Sequence, residues 1–456
     1  MRKFLAIIAG AALVCGCASA KPADQTDAPA SAADQSAVES TSNASQDMGS
    51  TSDAALAVQA KADVLSDDAL RASQADADLM IYESWPQETT LDNAHIANVL
   101  PVWLEAIDGA KETIDFSEYY AISELGTGLD KVVKALKAAT ARGVKVRFIV
   151  DAQLNKDSNA ELPKELARIE GVTVRQIEYG KIAGGVQHAK YFIVDGKTAY
   201  FGSQNFDWRS LEQISEMGAR LRPEALVEPL KQIFELDWKL AEDPAGEIGT
   251  AACSGPVDIN YKGEQTRVET VASPQKTLLC KEMWDLPKMI DMIGQAKRSV
   301  SVQLLNYATK NYDKTTFMEL DDALTGAAAR GVKVRLMVSD WSTKPKNMSD
   351  MKRLAAMDNI EVRMIEIPEH SSGFQPYSRT IHSKFMVVDD ADSWLGTSNW
   401  AGDYFYKSRN VGIIVHGKRF NDELTRSFDH YWESEYAIVV DPDVDYPVKN
   451  QAKPSH

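Results

Sequence analysis

His188-Ala-Lys-Tyr-Phe-Ile-Val-Asp-Gly-Lys-Thr-Ala-Tyr-Phe-Gly-Ser-Gln-Asn205 and His382-Ser-Lys-Phe-Met-Val-Val-Asp-Asp-Ala-Asp-Ser-Trp-Leu-Gly-Thr-Ser-Asn399 are one pattern written twice. His, Lys, Asp, Gly and Asn hold identical relative positions in both, so each copy reads H-x-K-x4-D and closes on G-[ST]-x-N. A lone histidine in a strand is ordinarily a satisfied structural residue. Two in matched frames are functional candidates. Strand alternation puts His188, Lys190, Phe192 and Val194 on one face and Ala189, Tyr191, Ile193 and Asp195 on the other. His and Lys therefore share a pocket, while Asp195, and by the same count Asp389, fixes the turn that follows. Gly202 and Gly396 allow a tight chain path that brings Asn205 and Asn399 back toward the pocket.

The repeat extends outward from the motif. Ala-Arg-Gly-Val-Lys-Val-Arg stands at 141–147 and again at 329–335. In the first half, Met80–Tyr82 reads as a short strand, Val99–Ala110 as a helix, Thr113–Tyr120 as a buried strand, Leu129–Arg142 as a helix capped by Gly143, and Val144–Val150 as a strand. The second half repeats the plan, with a helix ending at Ala296, a strand over Ser299–Tyr307, a helix over Phe317–Arg330 capped by Gly331, and a strand over Val332–Val338. This β-α-β-α-β rhythm predicts an α/β fold. Two similar domains, each a mostly parallel sheet flanked by helices, are expected to meet across a pseudo-two-fold axis with the active site between them. A duplication of about 200 residues is too long for a solenoid unit. The expected boundaries are 77–250 and 251–446, with 241–280, rich in Pro and Gly, as connector.

The ends of the chain carry a different signal. Arg2 and Lys3 precede an apolar run, Phe4–Val14, too short to span a membrane as a permanent helix. Residues 1–20 read as an export signal. Val14-Cys15-Gly16-Cys17 resembles a bacterial lipobox, which predicts lipidation of Cys17 and attachment to a membrane surface facing the periplasm or cell exterior. Ala18-Ser19-Ala20 offers the alternative cut of a plainly secreted protein. Residues 21–76 are rich in Ala, Ser, Asp and Gln and read as a disordered tether, with folded structure beginning near Leu79. Only Cys253 and Cys280 remain beyond the signal. In an exported chain they invite a disulfide, which closes a loop of about 28 residues and is worth roughly 3 kcal/mol; they lack the paired spacing of a zinc site. The formal charge of -16 over 456 residues argues against a broad basic face for duplex DNA, though not against a local pocket for one phosphate.

The two motifs together bring two imidazoles, two ammonium groups and two amides to one place. Lys190, Lys384, Asn205 and Asn399 supply donors that suit the non-bridging oxygens of a phosphate. Two histidines suit a two-step displacement, in which one attacks phosphorus and the other protonates the leaving oxygen and then activates water or an alcohol. The lysines and amides balance the developing charge, so no metal or other cofactor is called for. His95, His416, His430 and His456 read as surface or packing residues; His370, in the loop before the second motif, is a candidate for the cleft wall. Trp208, Trp400, Tyr404 and Phe405 follow the Asn turns and read as packing or as a rim that stacks on a base or acyl chain.

At this point the chain resembles the phospholipase D superfamily, over most of residues 80–440. N-F-D-W-R-S-L at 205–211, N-W-A-G-D-Y-F at 399–405 and L-L-N-Y at 304–307 look like the branch that holds lysosomal phospholipase-D-like exonucleases and poxvirus envelope phospholipases. The resemblance implies a phosphodiesterase that works through a phosphohistidine. His188 is then the nucleophile and His382 the acid. Lys190, Asn205, Lys384 and Asn399 bind phosphate, and Glu216 orients a catalytic histidine. Asn410 holds the equivalent second-half position, a departure that bears on the orientation of His382. The expected substrate is a phospholipid or a single-stranded nucleic acid, handled by a monomer with both half-sites in one chain. The alternatives are a phosphatidyltransferase of the cardiolipin-synthase kind and a tethered phosphate-binding module without catalysis.

Overall fold

The computed structural model describes residues 66–452; the stretch read as an export signal, Cys17, nearly all of the stretch read as a tether and His456 lie outside the described residues. Among those described, no helix is long and apolar enough to cross a membrane.

Two nine-stranded sheets carry the fold. The first runs in the order Ala97–Asn98, Leu79–Ser84, Ile214–Leu221, Thr198–Gly202, Tyr191–Val194, Thr113–Glu118, Lys145–Asp151, Val172–Ile177, with Thr380–Ile381 as a ninth strand beside the start of Ile214–Leu221. The second runs Val257–Tyr261, Glu264–Ser273, Asn410–His416, Asp392–Gly396, Phe385–Val388, Ser299–Leu304, Lys333–Ser339, Ile360–Ile365, Ala437–Val439. The sheets are mixed rather than mostly parallel. The β-α-β-α-β rhythm is confined to three neighbouring strands of each half, which are indeed parallel. Each motif strand instead turns back at once, through Asp195–Lys197 or Asp389–Ala391, and so short a turn can only reverse the chain. The strands that complete the inner part of each sheet are therefore antiparallel.

Strand alternation distributes the apolar residues over three cores. Tyr191, Ile193 and Phe201 from the first sheet, and Phe385, Val387 and Ile413 from the second, share one core with the helices Glu224–Leu240 and Lys418–Trp432. Phe192 and Val194 point the other way, under the helices Val99–Gly109 and Gly128–Ala141. The third core lies under Asp285–Gln295, Glu319–Ala329 and Pro345–Ala355. Phe116 stacks on Phe192 at 4.9 Å and on Phe148 at 5.2 Å between ring centroids, which pins the first motif strand to its neighbour. Gly202 faces Gly218 across the sheet, where a Cβ would stand 2.8 Å from the Gly218 Cα; Gly396 pairs with Gly412, where a Cβ on Gly412 would stand 3.0 Å from the Gly396 Cα and one on Gly396 would meet the Trp394 ring. These glycines serve a close approach of strands rather than an unusual backbone angle.

Two boundaries differ from the expectation. A helix spans Asp67–Ser73, inside the stretch read as tether, where Ser66 caps the Ala69 N–H, Leu70 is buried and Arg71 reaches Glu105 at 2.8 Å. The Ser-Asp-Asp start and the closing Arg71 suit the helix dipole, a local signal hidden by the low apolar content around it. The connector is also shorter than 241–280. Val257–Tyr261 and Glu264–Ser273 are strands of the second sheet, with Glu264–Ser273 paired along Asn410–His416. Cys253 and Cys280 are joined in a disulfide with a Cα separation of 5.3 Å, which ties the connector to the far end of this hairpin.

The motif aspartates sit in left-handed backbone, φ 51° at both Asp195 and Asp389. Asp195 accepts from the backbone N–H groups of Lys111, Glu112 and Thr113 at 2.7–3.2 Å, and Asp389 from those of Lys297, Arg298 and Ser299 at 2.7–3.0 Å. Burial opposes ionisation of Asp195, but the donors Thr113, Glu112 and Lys111 prevail and hold its carboxyl below the ordinary value. Its stabilising effect is therefore present above the unfolded-state pKa of about 4 and fades as pH falls through the lower folded value. Asp195→Asn keeps the backbone angle and one acceptor but loses the charge. It is expected to cost about 1–2 kcal/mol in urea unfolding at pH 7, with the difference from wild type shrinking below about pH 4.

Candidate active site

The two halves exchange backbone at the site. Gln187 bridges to Arg409, and the His188 N–H donates to the Arg409 carbonyl at 3.0 Å. Reciprocally, Thr380–Ile381 pairs with Ile214–Ser215, and the His382 N–H donates to the Ser215 carbonyl at 2.7 Å. Each histidine thus leaves its own motif strand and is seated on a strand of the opposite half. The residue after each seat then meets the imidazole. Asn410 follows Arg409 and its Oδ1 lies 2.8 Å from His188 Nδ1; Glu216 follows Ser215 and its Oε2 lies 2.7 Å from His382 Nδ1. The carboxylate of the first half therefore orients the histidine of the second. The departure at Asn410 bears on His188, not on His382 as position matching within a half had implied.

This network fixes protons. Asn410 Nδ2 donates to the carbonyls of Tyr404 at 2.9 Å and Ser408 at 3.2 Å, which sets the amide orientation. Its Oδ1 then accepts from Thr397 Oγ1 at 2.9 Å and from His188. His188 must carry its hydrogen on Nδ1, which leaves Nε2 with a lone pair. Burial, Lys190 and Lys384 push the His188 pKa well below the usual imidazole range, against the Asn410 bond. At His382, burial, Lys384 and Lys190 push the same way and the Ser203 carbonyl opposes. Burial raises the Glu216 carboxyl to about 8 while Lys384, Ser203, Ser210 and Lys190 favour its charged form. Bonded to each other in a buried place, Glu216 and His382 titrate as one unit that holds a proton between them.

The phosphate-binding candidates complete the set. Lys190 Nζ donates to the His188 carbonyl at 2.5 Å, and Lys384 Nζ donates to the His382 carbonyl. Burial depresses both ammonium groups, Lys384 to about 7, with Glu216 acting in the opposite direction. Asn205 and Asn399 are buried and their Oδ1 atoms lack a donor, so either amide can turn its NH2 toward an incoming oxygen. His188, Lys190, Asn205, Glu216, His382, Lys384, Asn399 and Asn410 are all at most 9% exposed. The broad surface cavity of about 510 Å³ lined by Trp341, Tyr377, Arg379 and Tyr436 includes none of them.

The family model described as "Cardiolipin synthase, PLD-like domain" matches residues 103–238 and 289–432, one segment for each half. The chain belongs to the phospholipase D superfamily. That membership makes it a phosphodiesterase-class enzyme. The virion nicking-joining enzyme of vaccinia virus (strain Western Reserve) is 31% identical over 388 residues, covering 79% of this chain and 89% of the viral protein. The human 5'-3' exonuclease PLD4 is 28% identical over 409 residues, covering 80% and 79%. Among solved structures, the phosphatidylserine synthase of Haemophilus influenzae Rd KW20 aligns over 79% of this chain and 87% of its own with a TM-score of 0.58 at 12% identity, a likeness of fold.

Within this superfamily site, the motif histidines and lysines meet with Glu216, and Asn399 touches Tyr404 beside His188, while Asp195 and Asp389 sit in the turns away from it. His370 bonds to Ser372 and lies 3.4 Å from Glu88 in a surface loop. Trp400 and Phe405 are buried core residues, whereas Tyr404 packs edge-on against His188 with centroids 4.9 Å apart. Tyr119, which no motif flags, packs on the same ring at 5.0 Å, and Lys190 Nζ lies 4.8 Å from the Tyr119 centroid. Its neighbour Glu118 is also buried beside Lys190. Both stand at the C-terminal end of Thr113–Glu118, a strand with a parallel neighbour, where α/β sheets place ligands. That position was the available signal.

Proposed function

We propose that this chain is a metal-independent phosphodiesterase that works through a phosphohistidine, and that its substrate is the end of a single-stranded nucleic acid. The unlike partners of the two imidazoles carry the reading. His188, with an amide partner and a bare Nε2, attacks phosphorus. The bond from phosphorus to the leaving oxygen breaks, and that oxygen takes the proton on His382 Nε2 while Nδ1 stays bonded to Glu216. In the second step water gives its proton back to His382, its oxygen attacks phosphorus, and the P–N bond breaks. Lys190, Lys384, Asn205 and Asn399 stabilise the equatorial oxygens, which supplies the positive charge a metal would otherwise bring.

Two observations support the nucleic-acid substrate. The vaccinia and human relatives are named as a nicking-joining enzyme and an exonuclease. The tyrosines beside His188 are partly exposed and offer flat rings to a base. The lipobox-like run ending at Cys17 supports a phospholipid as a second reading, since lipidation there would hold the enzyme at a membrane surface. In EDTA, the enzyme is expected to release nucleotides from a single-stranded oligonucleotide and to leave phospholipid vesicles largely untouched. Head-group release without oligonucleotide cleavage moves the assignment to a phospholipase. Product only on an added alcohol acceptor moves it to a transferase, and no turnover of either substrate leaves a phosphate-binding module.

A further inference from the structure

The two halves differ at one buried position next to the lysines. Glu118 ends the strand Thr113–Glu118, is 1% exposed, and its Oε2 has no hydrogen-bond partner. The corresponding strand of the second half is Ser299–Leu304, which pairs with Lys333–Ser339 as Thr113–Glu118 pairs with Lys145–Asp151. In that register Leu304 stands where Glu118 stands. Only the first lysine therefore has a carboxylate from its own half beside it.

We propose that Glu118 is a positioning residue that keeps the Lys190 side chain charged beside His188, so that the two lysines grip the phosphate unequally, with the stronger hold on the nucleophile's side. The inference rests on the two-histidine reading above. Lys190 faces Lys384 from the opposite half, Glu118 and Glu216 from its own sheet, the His188 carbonyl and the Tyr119 ring. Glu118 lies one register step beyond the Ser117–Tyr191 pair, opposite Lys190, and also faces the Phe206 backbone N–H and the Tyr82 phenol. Burial pushes its carboxyl well above the ordinary value, and Lys190 and then the Phe206 N–H act against burial to favour the charged form. Burial and Lys384 both favour a neutral Lys190; Glu118 and then Glu216 oppose them. Glu216 is already bonded to His382, which leaves Glu118 as the carboxylate free to balance Lys190. The bond from Lys190 to the His188 carbonyl can be donated by a neutral amine as well, so loss of Glu118 should change charge before it changes geometry.

The test compares wild type, Glu118→Gln and Glu118→Asp by kcat/KM against pH on a 4-nitrophenyl phosphodiester, with tungstate as a competitive phosphate mimic. Glu118→Gln is expected to move the alkaline limb down by about one pH unit, so that kcat/KM at pH 8.5 falls about tenfold while the value at pH 6 stays within about twofold. Tungstate inhibition should weaken in parallel at the higher pH. Glu118→Asp, which keeps the charge, should leave the limb within about half a unit of wild type. An unmoved limb in Glu118→Gln, or a loss equal at every pH, overturns the proposal. A wild-type rate indifferent to His188→Ala brings down the two-histidine reading itself, a result separate from the position of the limb.

Discussion

His188→Ala and His382→Ala are expected to fail in different ways when the leaving group is varied. With an alkyl or nucleoside leaving group both should be severely impaired. Removal of the general acid costs about 10²–10⁴ in rate. Removal of a nucleophile that acts as one unit with its partners costs on the order of 10⁴–10⁶. With 4-nitrophenolate, which departs without a proton, His382→Ala should recover most of its first-step rate, and His188→Ala should recover none. The expectation rests on the partner each ring holds. His188 Nδ1 donates to an amide oxygen that already accepts from Thr397, so Nε2 is the free base. His382 is bonded to a carboxylate that burial raises to about 8, and the pair together carries the proton an acid must give. In a rapid-quench measurement on the activated substrate, His382→Ala should also show a burst of 4-nitrophenolate followed by slow turnover, because the second step still needs a base for water. Recovery by His188→Ala instead would reverse the two roles, and recovery by neither would remove the leaving-group proton from the rate-limiting chemistry.

Much of this site is legible in the amino-acid sequence alone. The duplicated motif named both histidines, both lysines and both asparagines, because a displacement at phosphorus needs those groups and the period of a strand puts His188 and Lys190 on one face. The same parity gave the motif aspartates a turn role, which their bonds to three backbone N–H groups describe. What the letters could not carry was the exchange between halves. Position matching assigns Glu216 and Asn410 to equivalent places, but which imidazole each reaches depends on how the two sheets meet. Only the backbone bonds of His188 to Arg409 and His382 to Ser215 settle that geometry. Sheet direction is hidden for a related reason: helix-linked strands advertise themselves by period, whereas the antiparallel returns are set by short turns and by pairings across long stretches of chain. Glu118 and Tyr119 escaped because they belong to the unrepeated part of the pattern, and a duplication draws attention to what is shared.

Asp237→Ala is expected to be the most destabilising single change near the site, and to disturb catalysis by a route that passes through the backbone. Asp237, on the helix Glu224–Leu240 of the first half, holds Arg409 of the second through two bonds, Nε to Oδ2 at 2.9 Å and Nη2 to Oδ1 at 2.7 Å. Both side chains are fully buried. Arg409 is also the residue whose carbonyl receives the His188 N–H and whose own N–H donates to the Val186 carbonyl at 2.9 Å. A buried pair such as this contributes little relative to a well-packed apolar replacement, but removal of one partner strands the other charge, which costs about 3–5 kcal/mol. Asp237→Ala should therefore lower the urea midpoint strongly, and Asp237→Leu combined with Arg409→Met should regain most of the loss. The catalytic readout separates anchoring from mere stability. If the ion pair also holds the His188 seat, the double variant will be stable yet will keep a reduced kcat on activated substrate, because the chain at Arg409 and Asn410 is no longer pulled onto the first-half helix. A double variant that is both stable and fully active would confine the pair to joining the two halves and leave the seat of His188 to the backbone bonds alone.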